Sequence, residues 1–245
     1  MRLTSPLLRA LALAGLLAAG AAPGPAAPAF AADEPPAPAV RIMPLGDSIT
    51  FGKGDPTGNG YRATLYSWLT EAGVPAGFVG SQHHGTGAGD GHEGHPGWRI
   101  AQLTDRIDGW MADSRPDVVL LDIGTNDLLH HDRVAEAPDR LRTLLDHILV
   151  ANPRARILLA RLLVVDHGHE ADFEAYNAAL TRLAAFYPAE VTVVDMAAVP
   201  VTNTVDHVHP DALGYRQMAY QWYESLRTVV ASGRSWTPVP DPFRP

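Results

Sequence analysis

The chain has 245 residues, 27 acidic against 19 basic, a formal net charge of −8 and no cysteine. That balance disfavours nucleic acid and anionic membranes as partners, and no disulfide framework or thiol lipidation is possible. A hydrophobic fraction of 46% over about 200 residues behind the leader suits one core rather than two.

Residues 1–31 read as a signal peptide: Arg2 and Arg9 precede an apolar run, and Ala29-Phe30-Ala31 supplies small residues for cleavage. The run is short for a bilayer span, so secretion is expected, with no membrane contact after cleavage. Without Arg2 and Arg9 the balance is 17 basic to 27 acidic, or −10. Residues 32–39 form a Pro-rich linker. Residues 40–230 carry the domain, and 231–245 are expected as an extended tail. No internal repeat is visible, and a monomer is expected.

Val40-Arg41-Ile42-Met43-Pro44 predicts a first strand. It runs into Leu45-Gly46-Asp47-Ser48-Ile49-Thr50 and then a Gly-rich stretch to Gly60. Leu65, Trp68 and Leu69 give helical spacing over residues 61–72, ended by Gly73. Phe78-Val79-Gly80 is a short second strand, and 81–97 is a long loop rich in Gly and His. A helix is expected over 99–111. Residues 117–123 form a near-continuous apolar strand, as a parallel sheet covered on both faces requires. Asp122 within it is a buried acid in want of a partner. Then follow a helix over 135–151, a strand over 156–164, a helix over 170–186, a strand over 191–195 and a helix over 211–230.

Strands alternating with helices of this length imply right-handed crossovers. The expected fold is a three-layer α/β/α sandwich with a flavodoxin-like parallel five-stranded sheet, order 2-1-3-4-5. In that order strands 1 and 3 are neighbours, and their carboxyl ends form the switch-point crevice. Ser48 ends one and Gly124-Thr125-Asn126-Asp127 the other. Seventy-odd residues apart in sequence, they would meet.

A serine needs a base, and the base an orienter. Asp206-His207-Val208-His209-Pro210 precedes the last helix. The spacing lets Asp206 reach the Nδ1 of His209 while Nε2 points to Ser48. His207 is the rival base on local chemistry. Pro210 suits the first helical position. Oxyanion donors would be the Ser48 N–H, the Asn126 amide and a backbone N–H in the loop Gly91-His92-Glu93-Gly94-His95-Pro96-Gly97-Trp98.

These blocks, in this order over about residues 41–230, resemble the four blocks of the SGNH (GDSL-type) hydrolases. The resemblance implies Ser48 as nucleophile, Asp206 and His209 as its partners, and an oxyanion hole of Ser48, Gly97 and Asn126. It favours His209 over His207 and leaves Gly94, three residues before Gly97, as the other glycine of that loop. The 91–98 run is most similar to carbohydrate esterase family 3, the acetyl xylan esterase type. That resemblance implies an acylated small-molecule or polysaccharide substrate, no cofactor and no metal. Trp98 would then stack on a sugar ring, although a tryptophan at a helix start is also a common core residue.

Three other readings remain. One is a lipase of the same superfamily. Another is a metallohydrolase built on His92-x-x-His95 with Glu93, which lacks the helical His-Glu-x-x-His spacing. The last is a non-catalytic glycan-binding module, which has no use for nucleophile, base, orienter and amide together. His130-His131 and His167-x-His169 are placed on solvated rims of the crevice.

Overall fold

The computed structural model describes residues 39–165, 168–230 and 236–244. The expected signal peptide and linker fall outside them, apart from Ala39, as does His167. The elements in chain order are β1 (Val40–Gly46), α1 (Ser48–Phe51), α2 (Tyr61–Glu71), β2 (Ala76–Phe78), β3 (Gln82–His83), β4 (Gly91–Gly94), α3 (Ile100–Ser114), β5 (Val118–Asp122), α4 (Thr125–Leu129), α5 (Ala137–Ala151), β6 (Arg156–Arg161), α6 (Glu170–Ala184), β7 (Val191–Asp195) and α7 (Ala212–Val229).

Five parallel strands lie in the order β2-β1-β5-β6-β7. The expectation of five strands is nonetheless two short. β4 pairs parallel with the carboxyl end of β1, Leu45 to Glu93 and Gly46 to Gly94, and β3 pairs antiparallel with β4. Both arise from the stretch expected as loop, because Gly-His-Glu-Gly has neither β-branched residues nor alternation. All four residues are buried, and what admits them is their small backbone profile. A Cβ at Gly94 would sit 2.4 Å from the Phe51 backbone nitrogen, so only glycine lets β4 approach α1.

β1 therefore has two partners in succession along one edge, β2 up to Ile42 and β4 from Leu45. Ile42 O accepts from Val79 N and Gly46 O from His95 N, so even-numbered residues of β1 face that edge. Pro44 lies between them, in the gap where no partner asks for its missing N–H.

Alternation along the strands divides the core into two layers. Met43, Leu45, Val119 and Leu121 pack under α3, α5 and α6, while Ile42, Val118 and Leu120 pack under α2 and α7. α3 buries Ile100, Leu103, Ile107 and Met111, and α7 buries Tyr215, Met218, Ala219, Trp222, Tyr223 and Leu226, the spacing of one helical face.

β6 stops at Arg161 rather than 164 because a side chain takes over its ladder. The buried Asn177 amide of α6 accepts from Leu162 N at 2.7 Å and donates to Leu162 O at 2.8 Å. Part of the expected tail is docked: Tyr223 Oη donates to Thr237 O at 2.6 Å, and Trp236 meets Tyr223 edge-on. Among the described residues no helix is long and apolar enough to cross a membrane.

Candidate active site

Ser48 is the first residue of α1, directly beyond β1. The turn between them needs Gly46, where a Cβ would lie 2.2 Å from Asp122 O. Asp47 caps α1 by accepting from Ile49 N at 2.9 Å.

The Ser48 Oγ lies 2.9 Å from Nε2 of His209, and Nδ1 of His209 lies 2.7 Å from Oδ2 of Asp206. An Nδ1 facing a carboxylate carries the proton, which leaves Nε2 as acceptor for the serine hydroxyl. The other Asp206 oxygen takes the N–H of His209 at 2.8 Å and of Val208 at 3.2 Å. Burial pulls the Asp206 carboxyl up, but the His209 N–H, the imidazole and the Val208 N–H outweigh it and hold the group below the usual carboxylate range. The loop is closed by Val205 N donating to His209 O, and by the bridge between Thr204 and Pro210. Pro210 is thus not the first helical residue. Asp211 caps α7 instead, accepting from Gly214 N at 2.8 Å. His207, with φ 62°, is exposed, and it is His209 that faces Ser48.

Asn126, second in α4, reaches the same crevice. Its amide donates to Asp47 Oδ2 at 3.2 Å and to Trp98 O at 3.0 Å. This joins β1, β5 and the 91–98 loop around the serine. The two loop glycines differ: Gly94 N–H is spent on Nδ1 of His92 at 2.8 Å, whereas Gly97 sits exposed at φ 81°. No hydrogen bond engages the Gly97 or Ser48 N–H among the described residues.

Trp98 is half-buried and stacks on His95 at 4.2 Å between ring centroids; His95 also stacks on Trp110 at 4.8 Å, and the two indoles lie 6.1 Å apart. His95 Nε2 in turn meets Glu93 Oε2 at 2.9 Å. His92 is buried, and burial, with Arg62 nearby, pushes it down to about 3, so it is neutral. His92, Glu93 and His95 do not converge on a common point. Among the described residues the convergent His and Asp donors are those of His131, His169 and Asp172. His130 bonds Asn126 O through Nδ1 at 2.9 Å.

Two contributors escaped the sequence reading. Asp47 lay inside a recognised motif, yet it links the α1 cap to Asn126. Arg62 is buried against five carbonyls: Thr50, Phe51, Gly58, His84 and Asp90. It fixes the carboxyl end of α1 and two loops at once. Its signal was an arginine beside Tyr61 and Leu65 on a helix face otherwise apolar.

Asp122 makes no side-chain hydrogen bond among the described residues. Burial, then the nearby Asp47, pushes its carboxyl up from 3.8 to about 8, so it is neutral at pH 7. Burial likewise raises Asp47 to about 7 against the opposing Ile49 N–H. A raised carboxyl holds its proton longer in the folded state than in the unfolded one. Stability from this source is therefore present below about pH 4 and lost as pH rises toward 8. Asp122→Asn, neutral throughout, should gain melting temperature relative to the parent across that window. A difference that stays constant with pH would show that Asp122 does not titrate there.

Residues 45–217 match the model of the GDSL-like lipase/acylhydrolase family. A multidomain esterase of Ruminococcus flavefaciens is 28% identical over 225 residues, 76% of this chain; the chain spans only 28% of that protein's length. A family 3 carbohydrate esterase of Clostridium thermocellum superposes with TM-score 0.70 at 31% identity, covering 79% of this chain and all of the other. One from Talaromyces cellulolyticus gives 0.68 at 27%, covering 77% and 97%.

Proposed function

This chain belongs to the GDSL-like lipase/acylhydrolase family and is a carboxylic ester hydrolase of SGNH type, and on that premise we propose that it is a secreted serine esterase removing acetyl groups from polysaccharide such as acetylated xylan. The observation that carries the chemistry is the relay of Ser48, His209 and Asp206, at 2.9 Å and 2.7 Å.

Ser48 Oγ attacks the ester carbonyl as Nε2 of His209 takes its proton, and Asp206 stabilises the imidazolium. The tetrahedral oxyanion is met by the N–H groups of Ser48 and Gly97 and by the Asn126 amide. Collapse expels the sugar alcohol, which receives the proton from His209, and leaves an acyl-serine. Water, deprotonated by His209, then attacks the acyl-serine and releases acetate and Ser48. With its back against His95, Trp98 offers its other face to a sugar ring.

The carbohydrate part of the proposal is supported by likeness to the family 3 carbohydrate esterases, and the acetyl preference by likeness to an acetyl esterase of 26% identity and TM-score 0.67. It is tested with p-nitrophenyl esters of rising chain length alongside acetylated xylan. Acetyl should exceed octanoyl, and xylan should release acetate without sensitivity to a chelator. A maximum at eight carbons or longer would favour a lipase, and loss of turnover with chelator a metallohydrolase. Binding of xylan without hydrolysis would favour a glycan-binding module.

A further inference from the structure

We propose that His131, His169 and Asp172 form a zinc-binding site. They come from neighbouring connections: His131 follows α4, beyond the carboxyl end of β5, while His169 caps α6, beyond the end of β6. Asp172 lies three residues into α6, so it and His169 share one face of the first turn. One donor atom from each residue lies within 4.8 Å of the others. A tetrahedral zinc with bonds of 2.0–2.1 Å holds donors about 3.3 Å apart, so closure needs movement of about 1.5 Å. Exposed His131 can supply it by side-chain rotation.

Two further features point the same way. The two imidazoles sit 4.6 Å apart between centroids, tilted by 48°, with no hydrogen bond between them. Nδ1 of His169 is buried and has no hydrogen-bond partner among the described residues, an arrangement that costs free energy unless something satisfies it. Two imidazoles and a carboxylate suit zinc rather than calcium or magnesium, which take oxygen donors, and leave a fourth position for water. Bound there, the ion ties the connection after α4 to the start of α6.

The test is a calorimetric titration of untagged, chelator-dialysed protein with zinc chloride, calcium chloride serving as the comparison. One equivalent of zinc should bind with micromolar or tighter Kd and raise the melting temperature as its concentration rises. His131→Ala and Asp172→Asn should each weaken binding by at least the roughly 10- to 100-fold that loss of a ligand's support costs. Their metal-free melting temperatures should match the parent. A variant carrying His83→Ala and His84→Ala should bind zinc normally. Absence of binding at millimolar zinc would overturn the proposal, as would calcium binding in preference, unchanged affinity in both site variants, or loss of binding in the His83/His84 variant.

Discussion

Replacement of His209 by alanine is expected to lower kcat by ~10⁴-fold or more, the scale of loss for a residue acting as a unit with its nucleophile. The imidazole stands 2.9 Å from Ser48 Oγ and receives its tautomer from Asp206 at 2.7 Å. Without it the serine hydroxyl has no base and remains a poor nucleophile. His207→Ala is the informative control, for it sits beside the same carboxylate in sequence. Its side chain is exposed on a left-handed backbone, φ 62°, so most activity should survive. Both variants should melt near the parent temperature, since neither carries core packing. Equal losses in two folded variants would mean that the base is not His209 alone.

Asn126→Ala is expected to cost ~10²- to 10³-fold in kcat, roughly 3 to 4 kcal/mol of barrier, with a much smaller rise in KM. A donor to the oxyanion strengthens as the carbonyl oxygen gains charge, so its loss appears in the transition state rather than in binding. The structure adds a complication of its own. The Asn126 amide donates to Asp47 and to Trp98 O, so the same substitution also loosens the 91–98 loop. Melting temperature should fall as well, and kcat must be expressed per serine titrated with a fluorophosphonate. Normal turnover per titrated serine, with reduced stability, would make Asn126 a tether of the loop and remove it from the oxyanion hole.

Local chemistry determined much of this protein from sequence alone. The helices at 61–72 and 211–230 are spaced by burial on one face and the strand at 191–195 is a short apolar run, properties that each segment carries by itself. The blocks around Ser48, Asn126 and Asp206 were legible because turns at the ends of apolar strands leave polar residues with few alternative uses. Other features depended on residues distant along the chain, and only the folded structure decided them. β4 fits because Gly94 lets its backbone approach α1, which no propensity encodes. His209 rather than His207 faces Ser48 because the loop folds back on Asp206 and bridges Thr204 to Pro210. The want of a partner for Asp122 is met by keeping its proton: burial beside Asp47 leaves the acid neutral, a state set by surrounding dielectric and charge rather than by its neighbours in sequence.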